Sequence, residues 1–338
     1  MHRSSFILVV TIALCGTDAA AQAFKNAGSA GSQFLKIGVG ARASAMGGAY
    51  ASIAEDPAAL AWNPAAIGPM HDISVEADYT KWAADLGLNF VGIIVPITDR
   101  VNIGFHSIWL TSGDIEITTI DKPEGTGEVY DAGSIAVGMT GSVRLTPQLS
   151  FAMTMKYIEE RIYDVSGSTV AADAGMWYNT EYRSLVLGFT VLNLGFDHGF
   201  AGKSLDVRYA PLSLDEPPVK AGVQTSLNQL PLTFRAAGSF DLFSMFFEPL
   251  KLQRLTTAIN FIQYSDTQEQ VALGAEYAWN DLLFLRGGYI FNDDELGWNT
   301  GVGLHLNLTD INITIDYAAR DLGRFGLGHC VGLSFVYH

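Results

Sequence analysis

The sequence predicts an all-β fold: a closed, transmembrane, antiparallel β-barrel of fourteen strands with an N-terminal plug of small residues in its lumen. Three observations carry that expectation. From residue 72 to residue 337, short two-faced stretches alternate with turn residues, the period-two pattern of a sheet that meets a different environment on each side. Charged residues make up 16% of the 338 and the mean hydropathy is +0.20, whereas a typical soluble chain is about 25% charged. No apolar run reaches the ~20 residues that a spanning helix needs. A chain this apolar is then left with the closed barrel, in which all backbone hydrogen bonds are made between strands.

The elements follow in order. Residues 1–21 read as a signal peptide: His2 and Arg3 give a basic start, residues 6–15 an apolar core, and Ala19–Ala21 or Ala21–Ala23 a small-x-small cleavage site. Leu14 stands before Cys15 where lipidation would want a small residue. Removal of the peptide leaves Cys330 alone, so no intramolecular disulfide is expected. Residues 22–71 form the hatch and residues 72–338 the barrel. Within the hatch, residues 33–69 are rich in Gly and Ala and carry little charge. Gly38, Gly40, Gly47 and Gly48 allow positive φ and close backbone approach in a confined lumen. Asp56 reads as an N-cap with Pro57 at the first helical position, which predicts a short helix through Ala58, Leu60 and Trp62. Asn63-Pro64 should end that helix. Arg42, alone of its kind in the plug, needs a carboxylate or carbonyl partner if it is buried.

Fifteen stretches read as strands: 72–81, 87–97, 101–111, 133–145, 149–162, 169–179, 183–194, 219–227, 232–242, 254–264, 269–279, 282–292, 297–308, 310–319 and 327–337. Bacterial single-chain barrels have even strand numbers, so one is surplus. The stretch 219–227 is the one to demote, because it adjoins Pro211, Pro217 and Pro218. Residues 112–128 and 195–218 read as long external loops, 98–100 and 146–148 as tight turns, and 163–168 as a looser connection. Tyr79, Trp82, Trp109, Tyr157, Trp177, Tyr264, Trp279, Trp298 and Tyr337 gather near strand ends, where interfacial girdles sit. Gly332, Phe335 and Tyr337 resemble the C-terminal assembly signal of outer-membrane barrels, with His338 as a departure.

Alternation also assigns a lumen face. Glu76, Asp78, His106, Lys156, Glu276, Arg286, His305 and Asp316 fall on it, which predicts a wet or hydrogen-bonded interior around the hatch. The net charge of −15 argues against nucleic acid as a partner. No G-x-S-x-G and no metal-ligand spacing accompany the histidines. The expectation is therefore no enzyme, no metal and no cofactor. Met153, Met155 and Met176 read as packing.

Several motifs resemble one family. They are F-L-K-I-G-V-G-A-R-A-S-A-M-G-G-A-Y at 34–50, containing Met46, and E-D-P-A-A-L-A-W-N-P-A-A-I at 55–67. Shorter matches are G-D-I-E at 113–116, K-Y-I at 156–158, N-L-G at 193–195, G-A-E-Y at 274–277 and L-R-G-G-Y at 285–289. Together they resemble the PorV/PorQ family, whose members look like relatives of the FadL long-chain fatty-acid channel. The resemblance implies a fourteen-stranded outer-membrane barrel of a Gram-negative bacterium, and Asn63-Pro64-Ala65 is similar to the N-P-A of FadL-type hatches. It implies a role like that of the PorV component of type IX secretion, binding the C-terminal domains of secreted cargo and other components of that system. The alternative it implies is a FadL-like channel for long-chain fatty acids or other hydrophobic small molecules. On either reading outer-membrane lipid surrounds the chain, and the hatch residues are structural or gating.

Overall fold

The computed structural model describes residue 28 and residues 30–53, 55–209, 219–246 and 252–338. The signal-peptide assignment and the proline-rich residues 210–218 lie outside the described residues.

Seven strands precede a long excursion: β1 (Ile73–Lys81), β2 (Gly87–Thr98), β3 (Val101–Glu116), β4 (Val129–Arg144), β5 (Leu149–Ile162), β6 (Val165–Asn179) and β7 (Val186–Gly195). The excursion carries β8 (Ala201–Gly202), β9 (Asp206–Tyr209) and β10 (Val219–Gly222). Seven more follow: β11 (Thr233–Asp241), β12 (Gln253–Tyr264), β13 (Gln270–Trp279), β14 (Leu283–Phe291), β15 (Trp298–Asn307), β16 (Ile311–Asp321) and β17 (Leu327–Tyr337). Each of the fourteen pairs antiparallel with its neighbours, β7 pairs with β11 across the excursion, and β1 pairs with β17. That last pairing closes the cylinder and leaves it no free edge. The demoted stretch is indeed outside the wall, where β10 forms a separate two-stranded sheet with β9.

Alternation along each strand separates two environments. In β13, Ala272, Gly274, Glu276 and Ala278 are buried while Leu273 and Trp279 are exposed. In β5, Lys156 is buried between Met155 at 63% and Tyr157 at 45% exposure. An apolar outer band around a polar, filled interior is the arrangement of an outer-membrane barrel, and this chain is one. Met153, Met155 and Met176 belong to that outer band and not to an interior core.

Two connections and two side chains differ from their expectations. The ladder between β5 and β6 runs on to Ile162 opposite Val165, so the looser connection expected over 163–168 is a two-residue turn, 163–164, with Tyr163 at φ 57°, and 165–168 belong to β6. Strand β3 continues to Glu116 past a bulge at Ser112–Gly113, where Gly113 has φ 68°. Trp177 and Tyr264 point inward, each under a tenth exposed, and are no part of a lipid-facing girdle.

The hatch occupies the lumen from end to end. It starts against the excursion, where Gly31 donates to the Gln229 carbonyl at 2.8 Å. It continues through a 3-10 turn (Gln33–Lys36) and helices Ala41–Ala45 and Ala59–Trp62, then a 3-10 turn (Pro64–Ile67) that leads into β1. Phe34, Val39, Met46, Tyr50 and Trp62 pack against the wall's Leu88, Phe90, Ile108, Ile158 and Ile262, so the hydrophobic core of the molecule lies inside the barrel.

Candidate functional site

The polar partners of the hatch form three levels, which the barrel strands present at successive heights. At the end bearing the excursion, Ser32 (φ 49°) donates its N–H and hydroxyl to Glu160, which also meets His198 at 3.0 Å. Gln33 donates to Asp266 at 2.8 Å, and Lys36 pairs with the same carboxylate at 2.6 Å. Two carboxylates of the rim thus hold the first turn of the hatch.

The middle level is basic. In β7 an extra residue sits opposite Asp173, and Asn193 takes φ 63° there, a bulge that turns both Leu192 and Asn193 inward. Asp173 accepts from the Asn193 N–H at 2.7 Å and pairs with Lys156 at 2.9 Å, and Lys156 also donates to the Asn193 side chain. Arg235 from β11 stacks on Trp62 at 4.5 Å and donates to the Trp62 carbonyl at 3.3 Å, with no carboxylate in ion-pair range among the described residues. His106 stacks on Phe90, with Nδ1 buried and unpartnered. These groups and the apolar Leu35, Ile37, Val39, Ile108 and Leu192 line a cavity of about 20 Å³. That is room for a single water.

The lower level is a charge network. The Arg42 guanidinium clasps Glu276 with two bonds of 2.7 Å and reaches Glu55 at 2.7 Å and Asp56 at 3.5 Å. Glu276, fully buried, also accepts from Arg286 at 2.6 Å, and Arg286 continues to Asp316. Tyr50 donates to Asp56. Beside this network lies a vestibule of about 330 Å³, which Glu76, Arg254 and His305 also line. His305 itself pairs with Thr314 at 2.7 Å.

Strand β1 anchors the helices of the hatch. Asp78 accepts from the Ala41 N–H and Glu76 from the Ala58 N–H, each at 2.9 Å, satisfying donors at the start of helices too short to satisfy their own. The expected cap, Asp56, is engaged elsewhere; the helix begins at Ala59, and Asp56 faces Tyr50 and Arg42 instead. Asn63 is extended (φ −152°) and ends the helix, donates to the carbonyls of Ala51 and Met176, and accepts from Ala65 after Pro64. Gly40, Gly47 and Gly48 have positive φ, whereas Gly38 does not: a Cβ there would collide with the Trp62 ring.

All eight residues assigned to the lumen face point inward, but to two different levels. His106 and Lys156 are at the basic cavity; Glu76, Glu276, Arg286, His305 and Asp316 line or support the vestibule, and Asp78 holds the hatch. Sequence reasoning missed Asp173, Asn193 and Arg235, and it missed Gly274, Gly288 and Gly301. These three glycines lie on adjacent strands against hatch residues 45–47, where any Cβ would strike Ala45 or Met46. Small residues of inward parity on consecutive strands were the available signal.

Searches of solved structures return FadL-type barrels. The toluene transporter TodX of Pseudomonas putida aligns at 13% identity over 89% of this chain and 97% of that one, with a TM-score of 0.57. The toluene transporter TbuX of Ralstonia pickettii aligns at 12% over 89% and 97%, with a TM-score of 0.55. A Pseudomonas aeruginosa FadL homologue aligns at 12% over 88% and 98%, with a TM-score of 0.52. The chain has a FadL-type fold. No family model matches it and no curated protein matches it significantly, so the PorV/PorQ resemblance stays with the motifs that suggested it. In this FadL-type barrel the identities are low enough that the likeness speaks to architecture, and the chemistry must be argued from the residues above.

Proposed function

We propose that the chain is an outer-membrane conduit for hydrophobic small molecules, with the hatch as its gate. The observation that carries the reading is a FadL-type barrel whose plug covers a small cavity lined by both apolar side chains and the polar groups Lys156, Asp173 and Arg235. Two of the structural neighbours are toluene transporters by name, and a third is a FadL homologue. The middle cavity, at about 20 Å³, is too small for any such molecule while the hatch stays in place. Withdrawal of residues 35–39 would join it to the space they occupy and bare Trp62, Ile108 and Leu192 beside Lys156 and Arg235. Apolar walls with a few placed polar groups are what a small-molecule site needs. Liposomes containing the protein are expected to accumulate labelled toluene or a labelled long-chain fatty acid faster than empty liposomes. Uptake that does not depend on the protein for either compound would sink the proposal.

A second reading, a protein-binding role of the type IX kind, is favoured by one observation. The β9–β10 hairpin stands outside the wall beside an open cavity of about 550 Å³, near exposed Phe196 and Leu227. Exposed apolar surface beyond the lipid band suits a protein partner. Replacing residues 200–226 with a short linker is expected to abolish retention of a purified cargo C-terminal domain by the immobilised barrel. Equal retention after the deletion removes this reading.

A further inference from the structure

The chain carries 35 acidic residues against 20 lysines and arginines, yet one site on its rim is basic and has no carboxylate partner among the described residues. Arg100 lies in the turn between β2 and β3, and Arg144 is the last residue of β4. The two turns are joined by the Arg144 N–H, which donates to the Arg100 carbonyl at 2.7 Å. The Arg144 guanidinium donates to the Asp99 carbonyl at 2.6 Å and to His71 Nε2 at 3.2 Å, while the Arg100 side chain is exposed and makes no hydrogen bond among the described residues. Every described arginine ion pair involves other residues. With Leu145, Thr146 and Pro147, the two arginines line a cavity of about 230 Å³.

Two features say what would enter that cavity. First, it opens at the barrel end opposite the excursion, where every connection but 242–252 is a short turn, and short turns mark the periplasmic side. Second, its apolar border faces the lipid: Ile97, Val143 and Leu145 are 56%, 42% and 58% exposed at the ends of the same strands. Guanidiniums with no carboxylate partner among the described residues, beside an acyl-facing surface, match a ligand with a phosphate at one end and hydrocarbon at the other. Guanidinium is suited to phosphate because its fixed fork of donors gives charge-assisted, bidentate hydrogen bonds.

We propose that Arg100 and Arg144 hold the phosphate of a phospholipid of the periplasmic leaflet, with its acyl chains lying on Ile97, Val143 and Leu145. The site lies at the rim, apart from the cavities of the lumen, and among the described residues it touches the hatch only where Arg144 meets His71 at its last residue.

The test uses the full mature chain in mild detergent, with phosphatidylglycerol as the probe and native mass spectrometry as the readout. The wild type is expected to retain bound phosphatidylglycerol, and the variant carrying Arg100→Ala with Arg144→Ala to bind it about tenfold more weakly, the effect of losing one charge-assisted hydrogen bond or more. Heat-modifiable migration on gels checks that the variant barrel is folded. Should the double variant fail to fold, Arg100→Glu alone touches no internal hydrogen bond and is expected to weaken binding at least as much. An excess of inorganic phosphate is expected to leave most of the lipid bound, because it cannot replace the acyl contacts. Unchanged retention in the variants, or complete displacement by inorganic phosphate, would overturn the proposal; the latter outcome would make the cavity a simple anion site.

Discussion

Replacing Arg42 with methionine is expected to undock the hatch while leaving the barrel assembled. Among the described residues Arg42 is the only one of the hatch that bonds the buried Glu276 of the wall, and it also pairs with Asp56 at 3.5 Å. Without it, Arg286 alone faces Glu276 and Asp316, and Asp56 keeps only its hydrogen bond from Tyr50. Removing one partner of a buried ion pair costs about 3–5 kcal/mol, because the remaining charge stays away from water. The loss here belongs at the low end of that range, since the neighbouring vestibule of about 330 Å³ can hydrate part of the network. The strand ladders of β13 and β14 depend on backbone hydrogen bonds that Arg42 does not touch. Limited proteolysis of the detergent-solubilised protein should therefore cut residues 33–69 in Arg42→Met under conditions that spare the wild type. Adding Glu276→Gln removes the stranded charge and should restore part of the protection. A hatch equally resistant in Arg42→Met and the wild type would show that the network does not hold it.

The barrel was legible because lipid and lumen impose opposite chemistry on alternate residues. Val75, Ala77 and Tyr79 oppose Glu76 and Asp78 in β1, and that contrast fixes both the strand and its inward face. The signal fades where strands rise past the lipid. Ser166 and Ser168 of β6 are exposed to water, so the ladder there has no apolar face and reads as a loop. Trp177 was misassigned for a different reason: its place near a strand end suggested a girdle, but its parity with Asp173 and Gly175 sends it inward, where its indole donates to the Ser52 carbonyl at 2.9 Å. The candidate site was legible as residue types but not as groupings. That Arg42 needs a carboxylate follows from burial of a charge; that the carboxylate is Glu276, far along the chain, depends on barrel closure and hatch height. The bulge at Asn193 is likewise invisible in N-L-G, because its role comes from the unmatched residue opposite Asp173.

Gly288→Leu is expected to have the larger functional effect, converting a sealed barrel into an open one. Gly274 and Gly288 face each other across β13 and β14, and Gly301 lies on β15 beside them, so the wall is bare where hatch residues 45–47 lie against it. A Cβ on Gly288 would run into the backbone of Met46 and Gly47, and backbone cannot rotate aside as a side chain can. Gly47 is itself held at φ 64°, and even a Cβ added to it would come within 3.0 Å of the Tyr289 nitrogen, so the hatch turn lies tight against the wall at this point. Overpacking of an ordinary core costs roughly 1–3 kcal/mol when neighbours can repack; here the collision is with main chain, and leucine exceeds the space by more than one carbon. The wall tolerates the change, because β14 pairs with β13 and β15 through its backbone and leucine suits a strand better than glycine does. The variant should therefore assemble as a heat-modifiable barrel, conduct ions steadily in planar bilayers where the wild type is closed, and expose the hatch to protease. A Gly288→Leu barrel that stays closed and protected would mean that the hatch reaches its seat by contacts other than the glycine-lined wall, and that the route through the lumen is not gated there.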